Sequence, residues 1–136
     1  VASAALLALG EASVGQAEAA ARADDSQARA NSMQQARRFL KRLVLLYPSP
    51  NLSPLPERGF ILLARVERDM GENQTAAETL AELQEKFPDS AYARLASATQ
   101  LQWRGQETVA AQQIRAVIDD SDDEHLIRLA EQQLKR

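Results

Sequence analysis

Apolar residues recur along this chain at three- and four-residue steps, and the recurrence breaks at regular places. Near the end of one run, Leu40, Leu43, Val44 and Tyr47 share a stripe, the pattern of a helix with one buried face. The run from Phe60 to Val66 is apolar nearly all round, as expected for a helix packed on several neighbours. The pattern predicts seven helices, over about residues 6–21, 26–46, 56–70, 74–86, 90–104, 107–118 and 123–135. The breaks have helix-end chemistry. Asp24-Asp25-Ser26 suits a turn and an N-cap. The segment Pro48–Pro56 holds four prolines and cannot be helix, although Pro56 suits the first turn of the next one. Gly71-Glu72-Asn73 turns the chain, Gly105 closes the fifth helix, and Asp119-Asp120-Ser121-Asp122 ends the sixth.

The helices come in pairs with a fixed pitch. Gly71 and Gly105 are 34 residues apart, as are Ala76 and Ala110, Leu80 and Ile114, and Leu83 and Val117. Gln35–Pro48 overlays Thr75–Pro88, placing Ala36 on Ala76, Leu40 on Leu80, Leu43 on Leu83, Tyr47 on Phe87 and Pro48 on Pro88. Such a pitch marks a repeat built from helical hairpins.

With these residues the chain resembles the tetratricopeptide repeat family. Phe60, Leu63 and Ala64 match its bulky, Leu and small places on the first helix; Gly71 and Gly105 match its turn; Ala76, Leu80 and Pro88 match its second helix and the stop after it. The segment EKFPDSAYARLA looks most like the bacterial cell-envelope branch, which would place the protein in the periplasm or envelope. The resemblance implies an all-α fold, a right-handed superhelical stack of hairpins. Its expected repeats are about 3–50, 57–90 and 91–124, with a capping helix at about 123–136, in a single domain over 1–136. In the third repeat the first helix is degenerate, with Arg94, Ser97 and Ala98 in the three places. In the first, Leu6, Leu9 and Gly10 take them, and Ala36 then comes 14 residues late. Fourteen residues are about four turns, enough to lengthen both helices of that hairpin by about two turns each. The alanine-rich tip, Glu18 to Ala30, would project; the alternative is a merely tolerated insertion.

Composition narrows the function. The net charge of −3 supplies no bulk basic field for nucleic acid or an anionic membrane, and an aromatic content of 4% leaves little for base stacking. The apolar opening VASAALLALG is too short to span a bilayer and has no basic flank. It reads as a helix already under way, so the chain is expected to be a section of something longer. There is no Cys, hence no disulfide or thiolate site. His125 is the single histidine, which rules out a histidine metal cluster or a Ser–His–Asp triad; an ordinary polar residue early in the last helix is expected. The acidic run Asp119–Glu124 lacks the glycine and the distant bidentate Glu of an EF-hand loop, so helix capping is expected rather than calcium. No catalytic residue, metal ligand or cofactor is expected.

The remaining signal is for partner binding. Arg58, Arg65 and Arg68 share a helix face, and the resemblance turns it toward the concave side of the stack. Tyr92 and Trp103 hold the matching places one repeat on. Together they would clamp an acidic or carboxylate-terminated peptide; the alternative is a solvated basic stripe, with Trp103 packed as core near Gly105. The module is therefore expected to be a non-enzymatic binder of a protein or peptide. The alternative is a structural section of a longer solenoid, or a self-associating scaffold. The polar end of the last helix, with Glu131, Gln132, Gln133, Lys135 and Arg136, is expected to face solvent.

Overall fold

In the computed structural model the elements in chain order are α1 (Ala2–Arg22), α2 (Ser26–Leu46), α3 (Leu55–Asp69), α4 (Asn73–Lys86), α5 (Ala91–Trp103), α6 (Glu107–Asp120) and α7 (Glu124–Lys135). The structure describes residues 2–136; Val1, with which the expected domain begins, lies outside them. Among the described residues there is no strand, and the fold is all-α. The proline segment contains a single 3-10 turn, Pro50–Leu52, capped by the Ser49 hydroxyl, and a cis Ser53–Pro54 bond. Two boundaries differ from expectation: α1 begins at Ala2, and α6 runs through Asp119 and Asp120 and breaks at Ser121. The chain forms two compact units that divide between Thr79 and Leu80, within α4.

In the first unit, α1 and α2 are 21 residues each, about 30 Å at 1.5 Å per residue. They are joined by a tip in which Asp24 takes a left-handed φ of 57°. There Asp25 caps α2, its Oδ1 accepting the Ala28 N–H at 3.0 Å. The buried side of α1 is Ser3, Leu7, Gly10, Ser13, Ala17 and Ala20, a three–four spacing of mostly small residues. It faces Met33, Ala36, Leu40, Leu43 and Val44 of α2. This corrects the expected register of the first helix. Leu7, not Leu9, enters the core; Leu9 lies about 200° further round and is 46% exposed. Gly10 is a close-approach residue: a Cβ there would lie 2.6 Å from Leu40 Cδ2. Gly59 of α3 stands equally close to Leu43, so α2 is crowded by a glycine on each side.

α3 packs on α2 and buries almost its whole length, including Phe60, Ile61, Leu62, Leu63, Ala64 and Val66. It ends at Gly71, whose φ of 85° lets the Gly71 N–H reach Arg68 O and the Glu72 N–H reach Glu67 O. Arg37 of α2 holds that turn with both guanidinium nitrogens on Glu72, at 3.2 and 3.1 Å.

In the second unit the core is Leu80, Leu83 and Phe87 from the end of α4, Leu95, Ala96 and Ala98 from α5, Ala110, Ile114 and Val117 from α6, and Leu126, Leu129 and Ala130 from α7. The Gly105 turn repeats the bonding of Gly71, with Gly105 N–H on Gln102 O and Gln106 N–H on Leu101 O. Of the degenerate places in α5, Arg94 and Ser97 are exposed and only Ala98 is buried; Tyr92, Leu95 and Thr99 fill the interior instead. Arg94 reaches Asp120 at 3.3 Å. The last helix also departs from expectation at Gln133. Glu131, Gln132, Lys135 and Arg136 are exposed, but Gln133 is buried, its side-chain Nε2 donating to Gln102 Oε1 and its main-chain carbonyl accepting from Gln102 Nε2. A buried amide persists because its polar groups are paired.

Candidate protein-interaction surface

The three arginines of α3 have different surroundings. Arg58 turns toward α1, its Nη2 3.1 Å from Glu11 Oε2, with the guanidinium side chain largely covered. Arg65 is buried, at 6% exposure. Arg68, in the last turn of α3, is half-buried.

The two aromatic residues of α5 part company. Trp103 ends the helix half-buried. Tyr92 is a core residue at 3% exposure, and its hydroxyl donates to Asp123 Oδ2 at 2.8 Å. The Ser90 hydroxyl caps α5 and sets Tyr92 in the first turn, so the ring enters the interior rather than offering itself to a partner. Asp123 in turn caps α7, its Oδ1 accepting the N–H groups of His125 and Leu126 at 3.0 and 3.2 Å. Partial burial pushes the Asp123 carboxyl up, but the Tyr92 hydroxyl and the two N–H groups outweigh it and hold the group below the usual carboxylate range. His125 is exposed in the first turn of α7.

Sequence reasoning missed Glu67. It is 2% exposed in α3, and the Thr79 hydroxyl of α4 donates to its Oε1. Burial pushes its carboxyl above the ordinary range; the Thr79 bond and the charges of Arg37 and Lys41 pull it back, while Glu72 adds to the rise. The signal was its place seven residues after Phe60, on the same buried stripe.

The family model described as Tetratricopeptide repeat matches residues 60–90. That segment is a tetratricopeptide repeat. The match runs from Phe60 through the Gly71 turn and α4 to Ser90, the cap of α5. Within the tetratricopeptide repeat, Phe60, Leu63, Ala64, Ala76 and Leu80 are all buried, and Pro88 follows the end of α4. No curated protein and no solved structure matches the chain. Among the described residues, no helix is long and apolar enough to cross a membrane.

Proposed function

We propose that the chain is a non-catalytic interaction module that holds an acidic or carboxylate-bearing peptide or partner subunit. The observation that carries this reading is the tetratricopeptide repeat at 60–90, since such repeats generally mediate protein–protein interaction. The recognition face is that of α3, which carries half-buried Arg68 beside Arg58, already paired with Glu11, and the covered Arg65; in repeats of this type that side of the first helix is the concave one. Charge-assisted bonds from such a row contribute roughly 1.5–3 kcal/mol each when desolvated. Trp103 offers an apolar contact of its own in the second unit. The test is capture of partners with the intact protein, followed by affinity measurement with Arg68→Glu. Binding at least about tenfold weaker, with the fold intact by circular dichroism, supports the reading. Equal binding at low salt, where charge effects are largest, overturns it.

A second reading, a structural or self-associating scaffold, is favoured by one observation: Leu9 stands 46% exposed on the outward side of α1, beside exposed Ala5, Ala8 and Ala12. Sedimentation at rising concentration tests it, because Leu9→Glu should abolish any association that uses this side.

A further inference from the structure

The outward side of α2 carries an amphipathic pattern that its packing in the first unit does not use. Arg38, Lys41, Arg42, Leu45 and Leu46 are all exposed, while Leu40, Leu43 and Val44 between them are buried. At 100° per residue the five fall within about 140° of arc and about 12 Å of helix axis. Their spacing, i, i+3, i+4, i+7 and i+8, is that of one helix face.

Three properties set this face apart. First, none of Arg38, Lys41 and Arg42 makes an ion pair among the described residues, whereas neighbouring Arg37 is held by Glu72. Second, Leu45 and Leu46 are 62% and 60% exposed, more than any other large apolar side chain described. Third, Gln34, Gln35, Arg37, Arg38 and Lys41 line an open depression on the same helix. The charge is local and opposite to that of the chain: residues 37–42 hold four cations and no acid in a protein of net charge −3.

We infer that this face of α2 docks an acidic amphipathic segment of a protein partner. Carboxylates of the segment meet Arg38, Lys41 and Arg42, and its apolar side chains cover Leu45 and Leu46. Cations and leucines occupy successive turns, which suits two to three turns of a peptide helix laid alongside. An anionic bilayer fits less well. It presents a plane of negative charge to a module whose net charge is −3, and only two leucines at one helix end are available to enter it. The site is separate from the α3 arginine row and goes beyond the function proposed above.

The experiment is fluorescence anisotropy with the intact chain and a labelled probe of about 14 residues, four helical turns, bearing Glu and Leu on one face. Companion arms use the same peptide with Leu changed to Ser, and vesicles of mixed phosphatidylserine and phosphatidylcholine. Saturable binding of the Glu–Leu probe is expected at low salt. Arg38→Glu with Arg42→Glu should weaken it about tenfold, and Leu45→Ser with Leu46→Ser should weaken it at any salt concentration. All four positions are exposed, so circular dichroism should show each variant folded. Arg68→Glu should bind the probe like the wild type. Absence of saturable binding, equal binding by the α2 variants, or preference for vesicles over peptide overturns the inference. If Arg68→Glu alone loses the probe, the acidic site is the α3 row: this inference then fails and the earlier reading stands.

Discussion

The hydroxyl of Tyr92 and the N–H groups of His125 and Leu126 all donate to one carboxylate, that of Asp123. A single side chain therefore caps α7 and fastens it to α5, whose first turn lies 31 residues upstream. Tyr92→Phe removes one donor and should lower the stability of the second unit by about 1 kcal/mol. Asp123→Ala removes the cap as well and should cost about 2 kcal/mol. Urea titration of both variants checks the ranking; equal losses would mean the cap contributes nothing beyond the tyrosine bond.

The two perturbed carboxyls should give opposite pH responses. Asp123 has a folded-state pKa below its unfolded value, so its contribution is present above the unfolded pKa and is lost as pH falls through the folded one. Glu67 is raised, so its contribution is present below the unfolded pKa and is lost as pH rises through the folded one. Glu67→Gln should therefore be more stable than wild type at pH 7, with the advantage shrinking toward pH 4. Melting curves at both pH values test the sign.

Thr79 is the partner that makes the buried Glu67 tolerable. Thr79→Val keeps the shape and removes the donor, and should destabilise by about 1–3 kcal/mol at neutral pH, the usual cost of leaving a buried polar group unmet. In the Glu67→Gln background the same change should cost less. Equal costs in the two backgrounds would mean that the hydroxyl acts through packing alone.

Gly10 and Gly15 lie in the same helix and should respond oppositely to alanine. At Gly10 the new methyl would sit 2.6 Å from Leu40 Cδ2 and 2.7 Å from its Cγ, inside a packed core. The gain in helix propensity, about 1 kcal/mol, is then outweighed by overpacking of about 1–3 kcal/mol. At Gly15 nothing lies within 4 Å, so alanine should stabilise by roughly 0.5–1 kcal/mol. Thermal melts of the two variants decide it.

Much of the helical layout was legible, because it rests on local chemistry. The second helix falls on 26–46 as its period and the Asp25 cap require, and Gly71 and Gly105 mark their turns through a backbone geometry that few other residues tolerate. What was not legible depends on neighbours from elsewhere in the chain. Leu6, Leu9 and Gly10 fit a family spacing, yet the rotation of α1 was set by which of its small residues could approach Leu40, and that choice turned Leu9 outward. The candidate site divides in the same way. That Arg58, Arg65 and Arg68 share a helix face is a matter of angle and could be read directly. That Arg58 meets Glu11, that Arg65 is covered, and that Tyr92 goes inward to Asp123 are tertiary facts with no local signature.

The long first hairpin is closed by teeth of unequal size. Near its base Leu7 meets a side of α2 that holds Leu40, Leu43 and Val44, whereas toward the tip the buried positions are Ala17 and Ala20 with Met33. Each turn nearer the tip removes less apolar surface from water, so the closing force should fade along its length. Such a hairpin opens like a zipper from the far end, one turn at a time, while its base stays shut. Amide hydrogen exchange should therefore form a gradient, fastest between Ala17 and Ala30 and slowest around Leu7 and Leu43. The tip can thus loosen or bend toward a neighbour without disturbing the repeat that follows it.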